Sequence, residues 1–111
     1  MELRDFECFV AVAEELHFGR AALRLAMAQP PLSLRIKSLE EALGTRLLER
    51  TSRRVSLTPA GEIFLGRARA VLALAEEAGE EARRVGLGLA GKLTLGFVNP
   101  AMDAFLAEAL A

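Results

Sequence analysis

The chain has a single cysteine and a single histidine, so it is poor in the side chains that build disulfides, metal sites and catalytic centres. One cysteine excludes an internal disulfide, and one histidine with one cysteine cannot hold zinc without carboxylate ligands. Cys8 is placed off the main apolar stripe of its helix as a structural or helix-packing thiol, and His17 is expected to cap a helix or lie on the surface. No glycine loop suited to phosphate is present. We therefore expect neither an enzyme nor a cofactor.

Long apolar runs and targeting signals are also absent. Arg or Glu interrupts every apolar stretch before it reaches the ~20 residues of a membrane helix. Residues 1–5 lack the basic stretch and apolar segment of a signal peptide, so we expect a cytoplasmic protein with no membrane partner. The 111 residues are 52% hydrophobic and 26% charged, which is typical of one folded domain and excludes a disordered tail.

The net charge of −1 hides an uneven distribution of charged residues. Residues 1–15 have five acids and one base, residues 16–58 have eight bases and three acids, and residues 59–111 have seven acids and five bases. The middle segment therefore has a net charge of +5 between acidic flanks. This concentration of positive charge indicates a surface that binds a polyanion, although a solvated arginine-rich face would give the same count.

Three helices are predicted before residue 45. Apolar residues recur at helical spacing over 2–16, residues 17–19 break the pattern, and a short second helix follows over 20–27. Pro30-Pro31 opens a third helix, since proline is tolerated in a first helical turn, and Gly44 suits its C-terminal cap. The core stripe of the third helix consists of Leu32, Ile36, Leu39 and Leu43.

Two short strands joined by a basic turn are predicted next. The strands lie at 47–50 and 55–57, and Thr58 is expected to cap a further helix that begins at Pro59. Three helices followed by a basic hairpin describe a winged helix-turn-helix. We therefore predict a mainly α fold with a DNA-binding domain over 1–58, in which the helix-turn-helix occupies about 18–37 and the wing about 47–57.

In such a domain the third helix enters the DNA major groove with its N-terminal residues first. Gln29 can bond to adenine, Ser33 can bond to either groove edge, and the apolar Leu34 suits a thymine methyl group. Lys37 is expected at a phosphate. The wing offers Arg50, Arg53 and Arg54 to the backbone or the minor groove. Each residue alone is equally compatible with an ordinary surface position. The alternative function is a protein-interaction module that dimerises without reading DNA, and a salt titration of DNA binding separates the two.

The segment from 59 to 86 is predicted to be one long helix of roughly 40 Å. Its apolar residues follow a 4-3 spacing typical of a helix that pairs with another helix. This dimerisation seam consists of Phe64, Ala68, Val71, Ala75, Ala78, Ala82 and Val85, with Leu65, Leu72 and Gly79 beside it. The alternative is that the helix packs on its own domain, above all through Phe64 and Leu65.

Residues after the long helix are predicted to begin a second domain. Residues 87–91 form a glycine-spaced hinge, and residues 92–111 form a strand followed by the start of a helix. One β-α unit cannot make a sheet alone, so an α/β domain is expected to be truncated here.

Three stretches closely resemble the N-terminal domain of LysR-type bacterial transcriptional regulators. They are FGRAALRLAMAQPPLS at 18–33, LEEALGTRLLER at 39–50 and LTPAG at 57–61. The run from Ala28 to Ser33 is most similar to regulators of catechol, benzoate and chlorocatechol degradation. The resemblance implies sequence-specific binding of duplex DNA at promoter inverted repeats, usually as tetramers built from two dimers. It also implies RNA polymerase as a partner and a C-terminal domain that binds a small co-inducer.

The resemblance also assigns residues by position. It implies recognition-helix contacts from Gln29, Pro30, Pro31 and Ser33, wing contacts from Arg50, Ser52, Arg53 and Arg54, and an effector-site loop that contains Asn99. The long helix corresponds to the linker helix, which pairs antiparallel in family dimers. Two positions depart from the family: Ala28 stands where many members have a capping serine, and Leu34 stands where many have arginine. The second departure predicts a different base preference or a lower affinity.

Overall fold

The computed structural model describes the backbone of residues 1–93 and the side chains of residues 1–88. Over this range the chain forms four helices and two strands. They are α1 (Leu3–Glu15), α2 (Phe18–Arg24), α3 (Gln29–Leu43), β1 (Leu48–Arg50), β2 (Val55–Leu57) and α4 (Pro59–Leu93). Residues Met1–Ala73 make one compact unit, and a second unit begins at Leu74. The mainly helical architecture with a two-stranded wing confirms the predicted fold class.

Helix α1 lies at the centre of the core. All residues from Cys8 to Ala13 are buried, and Phe64 of α4 packs on this helix through Phe6 and Phe9, with ring centroids 5.6 and 5.2 Å apart. The placement of Cys8 off the apolar stripe is therefore wrong, because a helix covered on several sides has no single buried face. Burial raises the pKa of the Cys8 thiol, which keeps it protonated and supports a purely structural role.

Helix α2 begins at Phe18, two residues earlier than the sequence predicted. His17 is its N-cap: the backbone N–H of Arg20 donates to His17 Nδ1 at 3.0 Å, which satisfies one of the N–H groups that a helix start leaves unpaired. The expectation that His17 caps a helix is thus confirmed. The predicted break between the first two helices is present but does not extend over 18–19: α1 ends at Glu15, and this side-chain bond lets α2 start directly after His17.

Helices α2 and α3 end with the same hydrogen-bond pattern. After α2, Met27 N–H donates to Ala22 O at 3.0 Å and Ala26 N–H donates to Leu23 O at 3.1 Å. After α3, Thr45 N–H and Gly44 N–H donate to the carbonyls five and three residues earlier, at 3.2 Å each. Both ends require a residue in the left-handed region, which is Ala26 (φ 54°) after α2 and Gly44 (φ 69°) after α3. This turn ends α2 at Arg24 rather than at Met27 as predicted.

The wing is attached to the helices at both of its ends. Strands β1 and β2 pair antiparallel, with Leu48 opposite Leu57 and Arg50 opposite Val55. A carboxylate oxygen of Glu40 on α3 accepts the N–H groups of Leu47 and Leu48 at 2.7 and 3.2 Å, which fixes the start of β1. The wing and α3 are therefore joined by direct hydrogen bonds.

The start of α4 holds the other end of the wing. Thr58 Oγ1 accepts the N–H of Gly61 at 2.9 Å, which confirms Thr58 as the predicted cap, and its hydroxyl donates to Arg46 O at 2.7 Å. A Cβ on Gly61 would lie 2.0 Å from Leu47 O, so only glycine fits at this contact.

Helix α4 is longer than predicted. Its backbone is helical through Leu93, so the predicted end near residue 86 and the predicted hinge over 87–91 are wrong. A glycine weakens a helix by only about 1 kcal/mol relative to alanine, and the Leu and Ala residues between these glycines are strong helix formers. The first two residues of the predicted strand segment, 92 and 93, are helical, and the rest of the predicted β-α unit lies outside the described residues. Among the described helices, none is long and apolar enough to cross a membrane.

Candidate nucleic-acid interface

Helix α3 buries one face and exposes the other, as its spacing predicted. Leu32, Ile36 and Leu39 are at most 3% exposed, and Leu43 reaches 36% at the end of the helix. The opposite face presents Gln29, Pro30, Pro31, Leu34 and Lys37 to solvent, with Ser33 half-buried beside them. Leu34 is 67% exposed, which leaves its apolar side chain available to an external partner.

The wing tip is a tight turn over residues 51–54. Thr51 N–H donates to Arg54 O at 2.8 Å, and Arg53 N–H donates to Thr51 Oγ1 at 3.4 Å. Ser52, Arg53 and Arg54 are all exposed on this turn. The tip therefore presents two guanidinium groups on a backbone that is closed by its own hydrogen bonds.

Two grooves flank the exposed face of α3. The first, here called the wing groove, has a volume of about 420 Å³ and lies between Gln29, the start of α2 and wing residues 50–55. The second, here called the helix groove, has a volume of about 570 Å³. Its lining includes Ser33, Leu34, Lys37, Arg46 and Arg50. Pro31 lines a further cleft beside Leu34. Of the predicted DNA-contacting residues, Gln29 and wing residues 50–54 thus share the wing groove, Ser33, Leu34, Lys37 and Arg50 share the helix groove, and Pro30 is exposed in the first turn of α3.

The acidic N-terminal segment pairs with part of the basic middle segment. Arg24 binds Glu14 and Glu15 at 2.6 and 3.3 Å, and Arg35 binds Asp5 at 3.0 Å. Glu14 also receives Arg69 of α4 at 2.7 Å. Within residues 1–88, the basic residues of the segment that take part in no ion pair are Arg20, Lys37, Arg46, Arg50, Arg53 and Arg54. Most of this group lies on the two grooves and the wing tip.

The pKa values of the paired carboxyls reflect these contacts. Burial disfavours the ionised form of Asp5, but the N–H of Glu2 and the guanidinium of Arg35 outweigh it and hold the pKa of Asp5 below its ordinary value. Hydrogen bonds from Arg24 and then Arg69 lower the pKa of Glu14. Both carboxylates stay ionised at neutral pH, so they neutralise the arginines that contact α1. Within residues 1–88, most unpaired cations of the basic segment are then those beside the two grooves and on the wing tip.

Sequence reasoning missed two residues of this surface. Arg46 lines the helix groove together with Lys37, and its place in the basic segment just before β1 was the available signal. Phe18 is 4% exposed and lies under Arg50, whose Cζ is 3.8 Å from the ring centroid. No spacing rule connects residues 18 and 50, so this contact required the folded chain. Among the described residues, no three potential metal ligands cluster.

The predicted dimerisation seam begins too early. Ala68 is fully buried within the unit Met1–Ala73, so it is not available to a second chain and its assignment to the seam is wrong. Phe64 is half-buried, with its ring packed on α1. The alternative that the helix start packs on its own domain holds for these residues and for Leu65 and Leu72, which contact the core. The remaining seam residues are not covered: Val71 is 37% exposed, Ala75, Ala78 and Ala82 are exposed, and Val85 is half-buried. Asn99, the predicted effector-site residue, lies outside the described residues.

The amino-acid sequence matches a known family and its members. The family described as "Bacterial regulatory helix-turn-helix protein, lysR family" matches residues 3–62. The chain is 55% identical over 106 residues to the HTH-type transcriptional regulator AlsR of Bacillus subtilis, which covers 96% of this chain and 35% of AlsR. The chain spans about a third of the length of AlsR and of a similarly related Escherichia coli regulator.

Two solved structures are similar to the described fold. The CbnR DNA-binding domain in its DNA complex has a TM-score of 0.75 and 43% sequence identity, and covers 78% of this chain and 99% of that chain. The BenM DNA-binding domain bound to benA site 1 DNA has a TM-score of 0.75 and 46% identity, and covers 78% of this chain and 97% of that chain. With a family match over more than half of its length, the chain belongs to the lysR family of bacterial regulatory helix-turn-helix proteins.

Proposed function

We propose that the chain is the DNA-binding part of a LysR-type transcriptional regulator and that it binds duplex DNA as a dimer. The observation that carries this proposal is the segregation of charge. The carboxylates of α1 pair with Arg24 and Arg35, while the cations beside α3 and on the wing take part in no ion pair within residues 1–88. The similar CbnR and BenM domains, whose structures are DNA complexes, support it.

The exposed residues of α3 and the wing have different tasks in this proposal. Gln29, Ser33 and Leu34 read base edges in the major groove, where an amide, a hydroxyl and an apolar group select different bases. Lys37, Arg53 and Arg54 bind phosphates, so they add affinity without selecting a sequence. Pro30 and Pro31 form the leading turn of α3 and meet the groove together with Gln29, and Ser52 contacts the backbone from the wing tip.

Dimerisation is assigned to α4. The part of the seam that follows the buried Ala68 runs from Val71 to Val85. It consists mainly of small residues, which allow close approach of a second helix. A two-fold dimer presents two α3 helices to two half-sites, which fits recognition of inverted repeats. A protein of this kind works in the cytoplasm without enzymatic activity of its own. Its full-length form responds to a small co-inducer and contacts RNA polymerase.

The test is the salt dependence of binding to duplex DNA. A protein that displaces condensed counterions loses affinity steeply as salt increases. The magnitude of the slope of log K against log salt decreases by about 0.9 for each phosphate contact removed. We expect Arg53→Ala/Arg54→Ala to flatten this slope and to weaken binding to all sequences alike. Arg83→Ala/Arg84→Ala removes the same charge from α4 and serves as the matched control. Equal effects of the two double variants, or no binding of the wild type to any duplex, would refute the proposal.

The division of labour is tested with a site selected by the protein from a randomised duplex pool. Gln29→Ala should lose about 1–3 kcal/mol of discrimination at particular base pairs, since one bidentate base contact has this value. Replacing thymine by uracil removes only the 5-methyl group, so Leu34 should make one such replacement costly in the wild type and harmless in Leu34→Ala. If the wing variants changed sequence preference and the α3 variants did not, the docking would be wrong.

A further inference from the structure

Phe18 and Arg50 connect the helix-turn-helix to the wing. Phe18 is the first residue of α2 and is 4% exposed, so its ring is held by the core. Arg50 is the last residue of β1, and its Cζ lies 3.8 Å from the centroid of that ring. At this distance the cation is attracted by the electrons of the ring face.

The strand geometry explains why Arg50 reaches this ring. Side chains two residues apart in a strand lie on the same face, so Arg50 shares the face of Leu48. Leu48 is 1% exposed and faces the core, whereas Arg50 is exposed at the end of the strand. The side chain of Arg50 therefore starts from the core side of the wing and crosses the edge of the core, where the Phe18 ring is its support.

The nature of this contact determines what Arg50 can still bind. Stacking on a ring uses the flat face of a guanidinium and leaves its five N–H donors at the edge. Arg24 and Arg35 are held differently, because their donors and charge are used by carboxylates. Within residues 1–88, Arg50 forms no ion pair, and it lines both the wing groove and the helix groove. It is thus oriented without being neutralised.

We infer that Phe18 is a positioning residue for DNA binding: its ring holds the Arg50 guanidinium between the two grooves with its donors directed to a DNA phosphate. This inference rests on the proposed function, since it assigns a phosphate as the partner of Arg50. An arginine that is ordered before binding loses less side-chain entropy when it binds, so the ring increases affinity without touching the DNA.

The first experiment is a double-mutant cycle on a fixed 30-base-pair duplex of arbitrary sequence. Phe18→Leu keeps an apolar side chain but removes the ring face, and we expect it to weaken binding about three- to fivefold and to reduce the salt slope. Arg50→Ala should weaken binding at least as much. In the Arg50→Ala background, Phe18→Leu should have no further effect on affinity, because the group that it positions is gone.

Two controls separate positioning from structural damage. Phe9→Leu makes the same change at a buried ring that contacts Phe64 rather than a cation, so it should alter thermal stability but leave the salt slope unchanged. Phe18→Tyr keeps the ring face, so its DNA affinity and salt slope should match those of the wild type rather than those of Phe18→Leu. An equal loss of slope in Phe9→Leu, or an equal effect of Phe18→Leu with and without Arg50, would overturn the inference.

A measurement on the wild type keeps the inference testable even if Phe18→Leu fails to fold. The Hε proton of Arg50 should have an NMR chemical shift displaced by the ring current of Phe18. An undisplaced Hε signal would refute the stacking that the inference requires. Failure of the proposed function is distinguishable from both results, since the wild type would then bind the duplex without any salt dependence or not at all.

Discussion

Replacing Ala26 by glycine is expected to stabilise the protein. Ala26 has a φ of 54° in the turn between α2 and α3, where a left-handed conformation costs an L-residue about 1–2 kcal/mol. Glycine avoids this cost but adds about 0.4–1 kcal/mol of conformational entropy in the unfolded chain. At the midpoints of these two ranges, the net gain is about 0.8 kcal/mol. Ala26 is exposed, so no core packing is lost with its methyl group.

Gly44 is the matched control, because it occupies the same position in the same hydrogen-bond pattern at the end of α3. A Cβ built on Gly44 meets nothing within 4 Å, so Gly44→Ala tests the backbone cost without a steric clash. We expect Gly44→Ala to lower the free energy of unfolding by about as much as Ala26→Gly raises it. The double variant should return near the wild-type stability, since the two sites do not share partners.

Thermal and urea unfolding of the four proteins measure these differences. For a domain of this size, 1 kcal/mol corresponds to a Tm shift of about 4–8 °C. A glycine in a helix interior would instead destabilise by about 0.5–1 kcal/mol. A lower Tm for Ala26→Gly would therefore refute the assignment of Ala26 to the left-handed turn.

Three further predictions follow from the described contacts. Gly61→Ala should destabilise by about 3 kcal/mol in urea unfolding, because its Cβ would collide with Leu47 O, and a loss below 1 kcal/mol would contradict this. The pKa of Glu14 is lowered by two arginines, so its contribution is complete above its ordinary value of 4.5 and lost as pH falls through the folded pKa. Glu14→Gln should therefore lower Tm at pH 7, and this loss should shrink steadily as the pH is lowered below 4.5. Val71→Glu/Ala75→Glu should give a folded monomer by light scattering, and an intact dimer would place the interface elsewhere.

The sequence was sufficient for the parts of the fold that depend on local patterns. The stripe from Leu32 to Leu43 gave α3 and its exposed face, and Gly44 marked its end. The basic turn at 51–54 predicted the position of the wing, and Thr58 predicted the start of α4. Each of these features is set by residues within a few positions of one another, which is why spacing and cap preferences predict them.

The missed features depend on contacts between distant residues or on unusual backbone angles. Residue type alone does not favour a left-handed Ala26, so the end of α2 was predicted too late. The pairing of Arg35 with Asp5 joins positions 30 apart, and the stacking of Arg50 on Phe18 joins positions 32 apart. The seam was extended to Phe64 because the heptad spacing is the same whether a residue packs on its own domain or on another chain.

The bonds from Glu40 to the start of β1 have a consequence for how a duplex is read. They join α3 to the start of β1, so moving the start of the wing relative to α3 breaks a hydrogen bond to a charged group, and the spacing between α3 and the wing is constrained. In the proposed docking, a duplex whose groove spacing does not match the spacing of α3 and the wing has to deform, and its stiffness then contributes to affinity at base pairs that no side chain touches. Changing such base pairs should alter DNA affinity strongly for the wild type and weakly for Glu40→Gln, in which the wing is held less firmly to α3. Equal sensitivity of the two proteins to these base-pair changes would show that the spacing between α3 and the wing adapts to the DNA.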